Sequence, residues 1–167
     1  MGVEDLIGAS AKNEAGGFFD PLKLSEGKDD ETLAWYRSAE LKHGRVAMLA
    51  TLGVVTTSIP ENAVIIPGFP VKNLDAFAAL GEVYEKNPSA LLQIVLVISA
   101  LEVLGASIES KTRPGDFGWD PANIRPSDPE QLDILQTKEL KNGRLAMLGI
   151  SGMALAYYQT GHVEYLF

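Results

Sequence analysis

The sequence contains no cysteine. That excludes a disulfide framework, a thiolate metal site and a thiol nucleophile. Positive charge is scarce: 14 Lys and Arg face 22 Asp and Glu, for a net charge of −8. A balance of that sign argues against nucleic acid as a partner. No Ser–His–Asp pattern, phosphate loop or zinc spacing is present. The first thirty residues hold no apolar core, so no secretory signal is expected there. Leu6 stands where myristoylation prefers Ser or Thr. Long uncharged apolar runs are few, and mean hydropathy is only +0.06 because polar loops dilute them. A length of 167 residues favours a single domain over 1–167.

One stretch is present twice. Glu40-Leu41-Lys42-His43-Gly44-Arg45-Val46-Ala47-Met48-Leu49 returns as Glu139-Leu140-Lys141-Asn142-Gly143-Arg144-Leu145-Ala146-Met147-Leu148. Each copy opens a run of apolar and small residues able to enter a bilayer, and each carries a Glu and an Arg at its edge. Charges at membrane depth are expensive and read as functional by default. A helical residue turns about 100°, so Glu40 and Arg45 point about 140° apart. They are poorly placed to pair within one helix, where partners sit three or four apart. Two copies crossing about a pseudo-twofold axis solve this, with Glu40 reaching Arg144 and Glu139 reaching Arg45. Glu40 and His43 share a face, as do Glu139 and Asn142.

The spans follow. A first helix is predicted over about 30–58, with Asp29, Asp30 and Glu31 at its positive end. Its uncharged part, Val46 to Ile59, is short for a span of ~20 residues. It spans only if Glu40 to Arg45 also lie at membrane depth, neutralised. Residues 60–88 hold Pro60, Pro67, Pro70 and Pro88 around an amphipathic piece at Leu74, Phe77, Ala78 and Leu80. That piece reads equally as an interfacial helix or a solvated loop. A second span is predicted over about 89–110, apolar from Leu91 to Leu104 apart from Gln93, Ser99 and Glu102. A third is predicted over about 128–160, with Ser127 as cap, Pro129 in the first turn, Glu130 completing a capping box and Gly161 as the stop. The expected fold is an all-α membrane protein of three transmembrane helices, the first and third long, tilted and crossing. Small residues at Gly44, Ala47, Ala50 and Gly53, and at Gly143, Ala146, Gly149 and Gly152, would let backbones or flat ligands approach. Two aromatic-Asp-Pro turns, Phe19-Asp20-Pro21 and Trp119-Asp120-Pro121, precede the duplicated helices in the same order.

Three uses of the polar groups compete. Two ion pairs could simply fix a helix crossing, but burial makes such pairs weak stabilisers, and His43, Asn142, Gln93 and Glu102 stay unexplained. Glu-x-x-His on bundle helices suggests a membrane di-iron carboxylate oxidase. Only one copy has His, however, and the arginines oppose a cation. The third use is a pigment scaffold. Magnesium takes oxygen or imidazole ligands, and in a flat macrocycle it needs one axial donor. Glu, His, Asn and Gln, each isolated beside Gly or Ala, suit that need. An Arg from the facing helix would neutralise a liganding Glu.

The doubled Glu-Leu-Lys-(His/Asn)-Gly-Arg-(Val/Leu)-Ala-Met-Leu resembles the light-harvesting chlorophyll-binding family of thylakoid membranes. Asp116-Phe117-Gly118-Trp119-Asp120-Pro121 and Asp128-Pro129-Glu130 resemble its approach segments. The likeness covers about 17–160. The short loops, the Gly-Phe-Phe-Asp-Pro-Leu start and the early C-terminus are most similar to the fucoxanthin–chlorophyll a/c branch. The resemblance implies axial chlorophyll ligands at Glu40, His43, Glu139 and Asn142, with bridging Arg45 and Arg144. On the second span it implies Gln93 and Glu102, with Glu109 competing. Two carotenoids would end near Asp20-Pro21 and Trp119-Asp120-Pro121. Plant members carry a Gln where this chain has Ala156, so that site is lost, water-mediated, or served by Gln159 or His162. Chlorophyll a, chlorophyll c and fucoxanthin are implied, with diadinoxanthin a further candidate. The implied setting is the chloroplast thylakoid membrane, multi-pass. The implied partners are the lipid bilayer, other antenna subunits, a photosystem core and further copies of the chain. The implied work is light harvesting without bond chemistry, with photoprotective quenching as the alternative within the family.

Overall fold

Aspartates fix where the long helices begin. The computed structural model describes residues 20–57, 76–109 and 114–161. Among these are four helices: α1 (Asp30–Thr57), α2 (Ala76–Lys86), α3 (Pro88–Ile108) and α4 (Pro129–Thr160). Asp29 caps α1. Its carbonyl accepts the Leu33 amide at 3.1 Å and its carboxylate accepts the Thr32 hydroxyl at 2.6 Å. Asp128 caps α4 in the same way, its carbonyl taking the Leu132 amide at 3.1 Å and its carboxylate the Glu130 amide at 3.2 Å. The sequence pointed to Ser127 instead. Pro129 occupies the first helical position, which makes its immediate neighbour the cap. Gly161 ends α4 with φ +74°, a conformation that suits a residue without a Cβ, and its amide bonds the Tyr157 carbonyl at 2.8 Å.

The predicted ranges for α1, α3 and α4 are about 30–58, 89–110 and 128–160. The connection differs. Its helix runs Ala76–Lys86, further along the chain than the expected piece at Leu74–Leu80, and reaches almost to α3. Pro88 can begin α3 because a first-turn residue needs no N–H. The Asn87 amide still closes on the Val83 carbonyl at 2.9 Å, and Asn87 Oδ1 accepts the Ser89 hydroxyl at 2.6 Å. The knot at Gly17-Phe18-Phe19, the stretch through Pro60, Pro67 and Pro70, and His162 lie outside the described residues.

The chain divides into two compact units. One contains α1 up to Arg45, α4 up to Arg144 and the segment from Ile108 that leads into α4. Here α1 and α4 cross at a pair of glycines. A Cβ on Gly44 or Gly143 would stand 3.0 Å from the other residue's Cα. Leu33 and Leu140 are buried in this unit. The two aspartate-proline turns are built alike. Asp20 accepts the amides of Leu24 and Ser25 on its two carboxylate oxygens, at 3.0 and 2.9 Å. Asp120 accepts those of Ile124 and Arg125 at 3.0 and 2.9 Å. In each turn the residue three after the Asp is left-handed, Lys23 at φ 52° and Asn123 at φ 54°. The second turn is clamped further, because Arg125 Nη2 bonds Asp116 Oδ2 at 2.6 Å.

The other unit contains the rest of α1 and α4 with α2 and α3. Phe77 of α2 stacks on Tyr157 of α4 with ring centroids 5.2 Å apart. Ala47 and Val54 are buried. Among the described residues, α3 alone is long and apolar enough by composition to cross a membrane, and none of it is buried. The helices with the Glu/Arg edges, α1 and α4, do not meet that criterion.

Two outcomes test this construction. Gly143→Leu should destabilise the protein by about 1–3 kcal/mol through overpacking, read as a lowered thermal midpoint. Gly81→Ala, in open space on α2, should be neutral or stabilising by up to ~1 kcal/mol. The second outcome concerns acid. The Ser25 hydroxyl and amide hold Asp20 below its usual value of 3.8, and the Arg125 and Ile124 amides do so for Asp120. A depressed carboxylate contributes stability that is complete above its unfolded value and is lost as pH falls through the folded one. Melts recorded downward from that value should therefore show acid destabilisation, and Asp120→Asn should flatten that part of the profile.

Candidate functional site

The doubled motif delivers its acid and base to opposite helices. Arg144 Nε donates to Glu40 Oε1 at 2.7 Å, and Arg45 Nε donates to Glu139 Oε1 at 2.7 Å. The swap predicted from the five-residue spacing is thus present in both directions. The glycine contact brings the two backbones close at the same point. These side chains keep about a third of their surface open, Arg144 rather more.

Further groups hold the arrangement. Arg45 Nη1 donates to the Gly115 carbonyl at 2.8 Å, and its guanidinium lies 5.7 Å from the Phe117 ring centroid, within cation–π range. Gly115 is left-handed at φ 78° and packs on Leu41, whose Cδ1 would be 2.6 Å from an added Cβ. Its amide bonds Glu109 Oε1 at 2.7 Å, and the same oxygen accepts the Ser38 hydroxyl in a short bond. Glu109 was a competing ligand on sequence grounds. The structure commits that oxygen to joining the end of α3 to α1 and the Gly115 turn.

Sequence reasoning overlooked Arg37. Its Nη1 donates to Glu40 Oε2 at 2.8 Å. The i, i+3 spacing made the contact readable, but attention to the identities between the copies passed over it, because the second copy has Gln136 there.

His43 and Asn142 sit one turn along from the two glutamates and behave alike. His43 Nδ1 lies 2.7 Å from the Ala39 carbonyl, and Asn142 Nδ2 donates to the Lys138 carbonyl at 3.0 Å. A carbonyl only accepts, so His43 Nδ1 is the donor in this contact, and in the neutral ring that places the lone pair on Nε2. Asn142 likewise keeps Oδ1. Both residues are exposed. Anchoring one side of a ring so that the other can ligate is the usual arrangement of metal-binding histidines.

The remaining predicted residues are more dispersed. Gln93 and Glu102 are exposed on α3, and nine residues of helix place them on opposite faces. Gln159 is exposed near the end of α4. Trp119 is 83% exposed beside its turn. Pro21 and Pro121 are exposed as well. The carboxylates of Asp20 and Asp120 are occupied by their own turns, so what those positions offer outward is a shaped loop. Among the described residues no three His, Asp or Glu converge on a point that could hold a metal ion. A di-iron site would need such a cluster.

Helices that cross through swapped acid–base pairs, with isolated neutral donors aimed outward beside small residues, define a helical scaffold protein suited to flat, metal-centred rings. The comparisons with known proteins agree. The profile of the family described as Chlorophyll A-B binding protein matches residues 4–158, and the chain belongs to that family. It is 41% identical over 96% of its length to a chloroplastic fucoxanthin-chlorophyll a-c binding protein of Chattonella marina var. antiqua, covering 72% of that protein. It is 34% identical over 90% of its length to fucoxanthin-chlorophyll a-c binding protein F of Phaeodactylum tricornutum, covering 77%. It is also 34% identical over 89% of its length to the light-harvesting complex stress-related protein 3.2 of Chlamydomonas reinhardtii, spanning 61% of that longer chain.

The two ion pairs should respond unequally to loss of their arginines. Arg45→Leu strands Glu139 and also removes the bond to Gly115, at a cost of about 3 kcal/mol. Arg144→Leu leaves Glu40 with Arg37 and should cost roughly half as much, because one charged partner remains. Thermal melts of the two variants decide the order, and equal losses would contradict this account of the site.

Proposed function

We propose that this chain is a light-harvesting antenna protein of the chloroplast thylakoid membrane. In this reading residues 1–167 form one pigment-binding domain in which α1, α3 and α4 span the bilayer and α2 lies at its surface. The carrying observation is the doubled Glu–Arg swap flanked by His43 Nε2 and Asn142 Oδ1, four donors on two crossing helices.

Each residue has a separate task. Glu40 and Glu139 offer a carboxylate oxygen while Arg144 and Arg45 neutralise the charge, so an anionic side chain is tolerated at membrane depth. His43 and Asn142 offer neutral donors fixed by their own helix. Gln93 and Glu102 extend the set to the two faces of α3, and Gln159 to the end of α4. The turns at Asp20-Pro21 and Trp119-Asp120-Pro121 receive the ends of elongated carotenoids. Bound chlorophylls and carotenoids supply the absorption of light and the movement of excitation. The protein performs no bond chemistry; it sets the distances between rings.

The names of the relatives favour chlorophyll a, chlorophyll c and fucoxanthin as the pigments, with diadinoxanthin a further candidate. The partners are thylakoid lipid, other antenna subunits, copies of the chain and a photosystem core that receives the energy. A second reading, photoprotective quenching, is favoured by the similarity to the stress-related protein.

The test is reconstitution of the full chain with chlorophyll a and fucoxanthin. Excitation into the carotenoid band should yield chlorophyll fluorescence. The double variant His43→Leu with Asn142→Leu should bind about two fewer chlorophylls per chain, one for each axial donor removed. A protein that folds but takes up no pigment would overturn the reading. Short fluorescence lifetimes at neutral pH would select quenching over harvesting.

A further inference from the structure

The two halves of the site are alike in sequence but not in charge. In both, Oε1 of the Glu receives an arginine Nε from the facing helix at 2.7 Å. At Glu40 the second oxygen, Oε2, also receives Arg37 Nη1 at 2.8 Å. The register position of Arg37 on α4 is held by Gln136, which is neutral. One carboxylate is therefore set between two guanidiniums and the other beside one.

Arg37 is not a loosely held surface cation. Its side chain is 12% exposed, and its Nε is buried with no hydrogen-bond partner. Burial of a cation is tolerated only while an anion answers it. Releasing Glu40 would leave Arg37 uncompensated, so the contact persists when Glu40 has another task. A carboxylate oxygen that already serves a charged donor has less electron density to give a hard cation such as magnesium.

We infer that Arg37 makes the two carboxylate sites unequal, lowering the donor strength of Glu40 and leaving Glu139 the stronger axial ligand, so that the magnesium-centred ring on Glu40 exchanges faster. This rests on the proposed reading of both glutamates as axial ligands. Arg37 acts through Glu40 and is a positioning residue. The duplication supplies the control, because the same charge can be removed from one copy or added to the other.

The experiment follows loss of chlorophyll a from the reconstituted full chain after dilution into detergent, by absorbance and pigment analysis. The variants Glu40→Leu with Arg144→Leu and Arg37→Leu, which leaves no buried cation unanswered, and Glu139→Leu with Arg45→Leu assign the phases to sites. If both variants keep the full complement of pigment, the ligand reading itself fails. Otherwise, the Glu40 phase should be faster than the Glu139 phase by roughly tenfold, a factor equivalent to about 1.4 kcal/mol. Arg37→Gln should slow the Glu40 phase towards the other and leave the Glu139 phase unchanged. Gln136→Arg should speed the Glu139 phase. The inference is overturned if Arg37→Gln leaves the Glu40 phase unchanged or faster while helix content and the Glu139 phase are retained. Should Arg37→Gln fail to fold, Gln136→Arg decides: no acceleration of the Glu139 phase overturns it.

Discussion

The approach of Gly44 to Gly143 is the constraint on which the site depends. It brings the two backbones close enough for each arginine to reach across. Without it Glu139 would lose its arginine, since Arg144 cannot turn back within its own helix, and Glu40 would keep only Arg37. The swap in turn opposes separation of the helices, because parting them would cost Glu139 its charged partner and Glu40 one of its two. Ion pairs in a low-dielectric setting stabilise little in absolute terms. Their effect here is on specificity: a slip of either helix by one residue breaks both pairs at once.

Secondary contacts show how the crossing is kept in register. Gly115 is bound from three sides, by Leu41 against its α-carbon, by Arg45 on its carbonyl and by Glu109 on its amide. Glu109 also takes Ser38 of α1. The end of α3, the approach to α4 and the middle of α1 thus share one small knot, and the arginine that pairs with Glu139 belongs to it. Glu40 has a different support, the buried Arg37. The two halves of a duplicated motif have acquired different neighbours while keeping the same central bond.

Much of this was legible in the residues. The swap followed from helix geometry alone, because a separation of five excludes an intrahelical pair. The limits of the long helices followed from Asp, Pro and Gly at their ends. What was missed has physical causes. Ser127 and Asp128 are both good caps, and only the position of Pro129 separates them. The extent of α2 was obscured by a short amphipathic signal interrupted by Gly81. Glu109 looked like a free carboxylate because its partner Ser38 is 71 residues away in sequence. Arg37 was overlooked because comparing two copies emphasises what they share, and its importance lies in what they do not.

The distribution of apolar residues carries the last step. Among the described residues four hydrophobic side chains are buried, Leu33, Ala47, Val54 and Leu140, while Leu49, Leu52, Leu145 and Leu148 in the duplicated runs stay largely exposed. Among the described residues the apolar surface is therefore mostly open. The exposed leucines follow His43 and Asn142 along the same helices. On the proposed reading the surface they present is covered by rings and lipid rather than by other parts of the chain. The small residues at the crossing let α1 and α4 touch, each glycine filling the space that the other leaves. On that reading a chain built this way completes its packing with its cofactors.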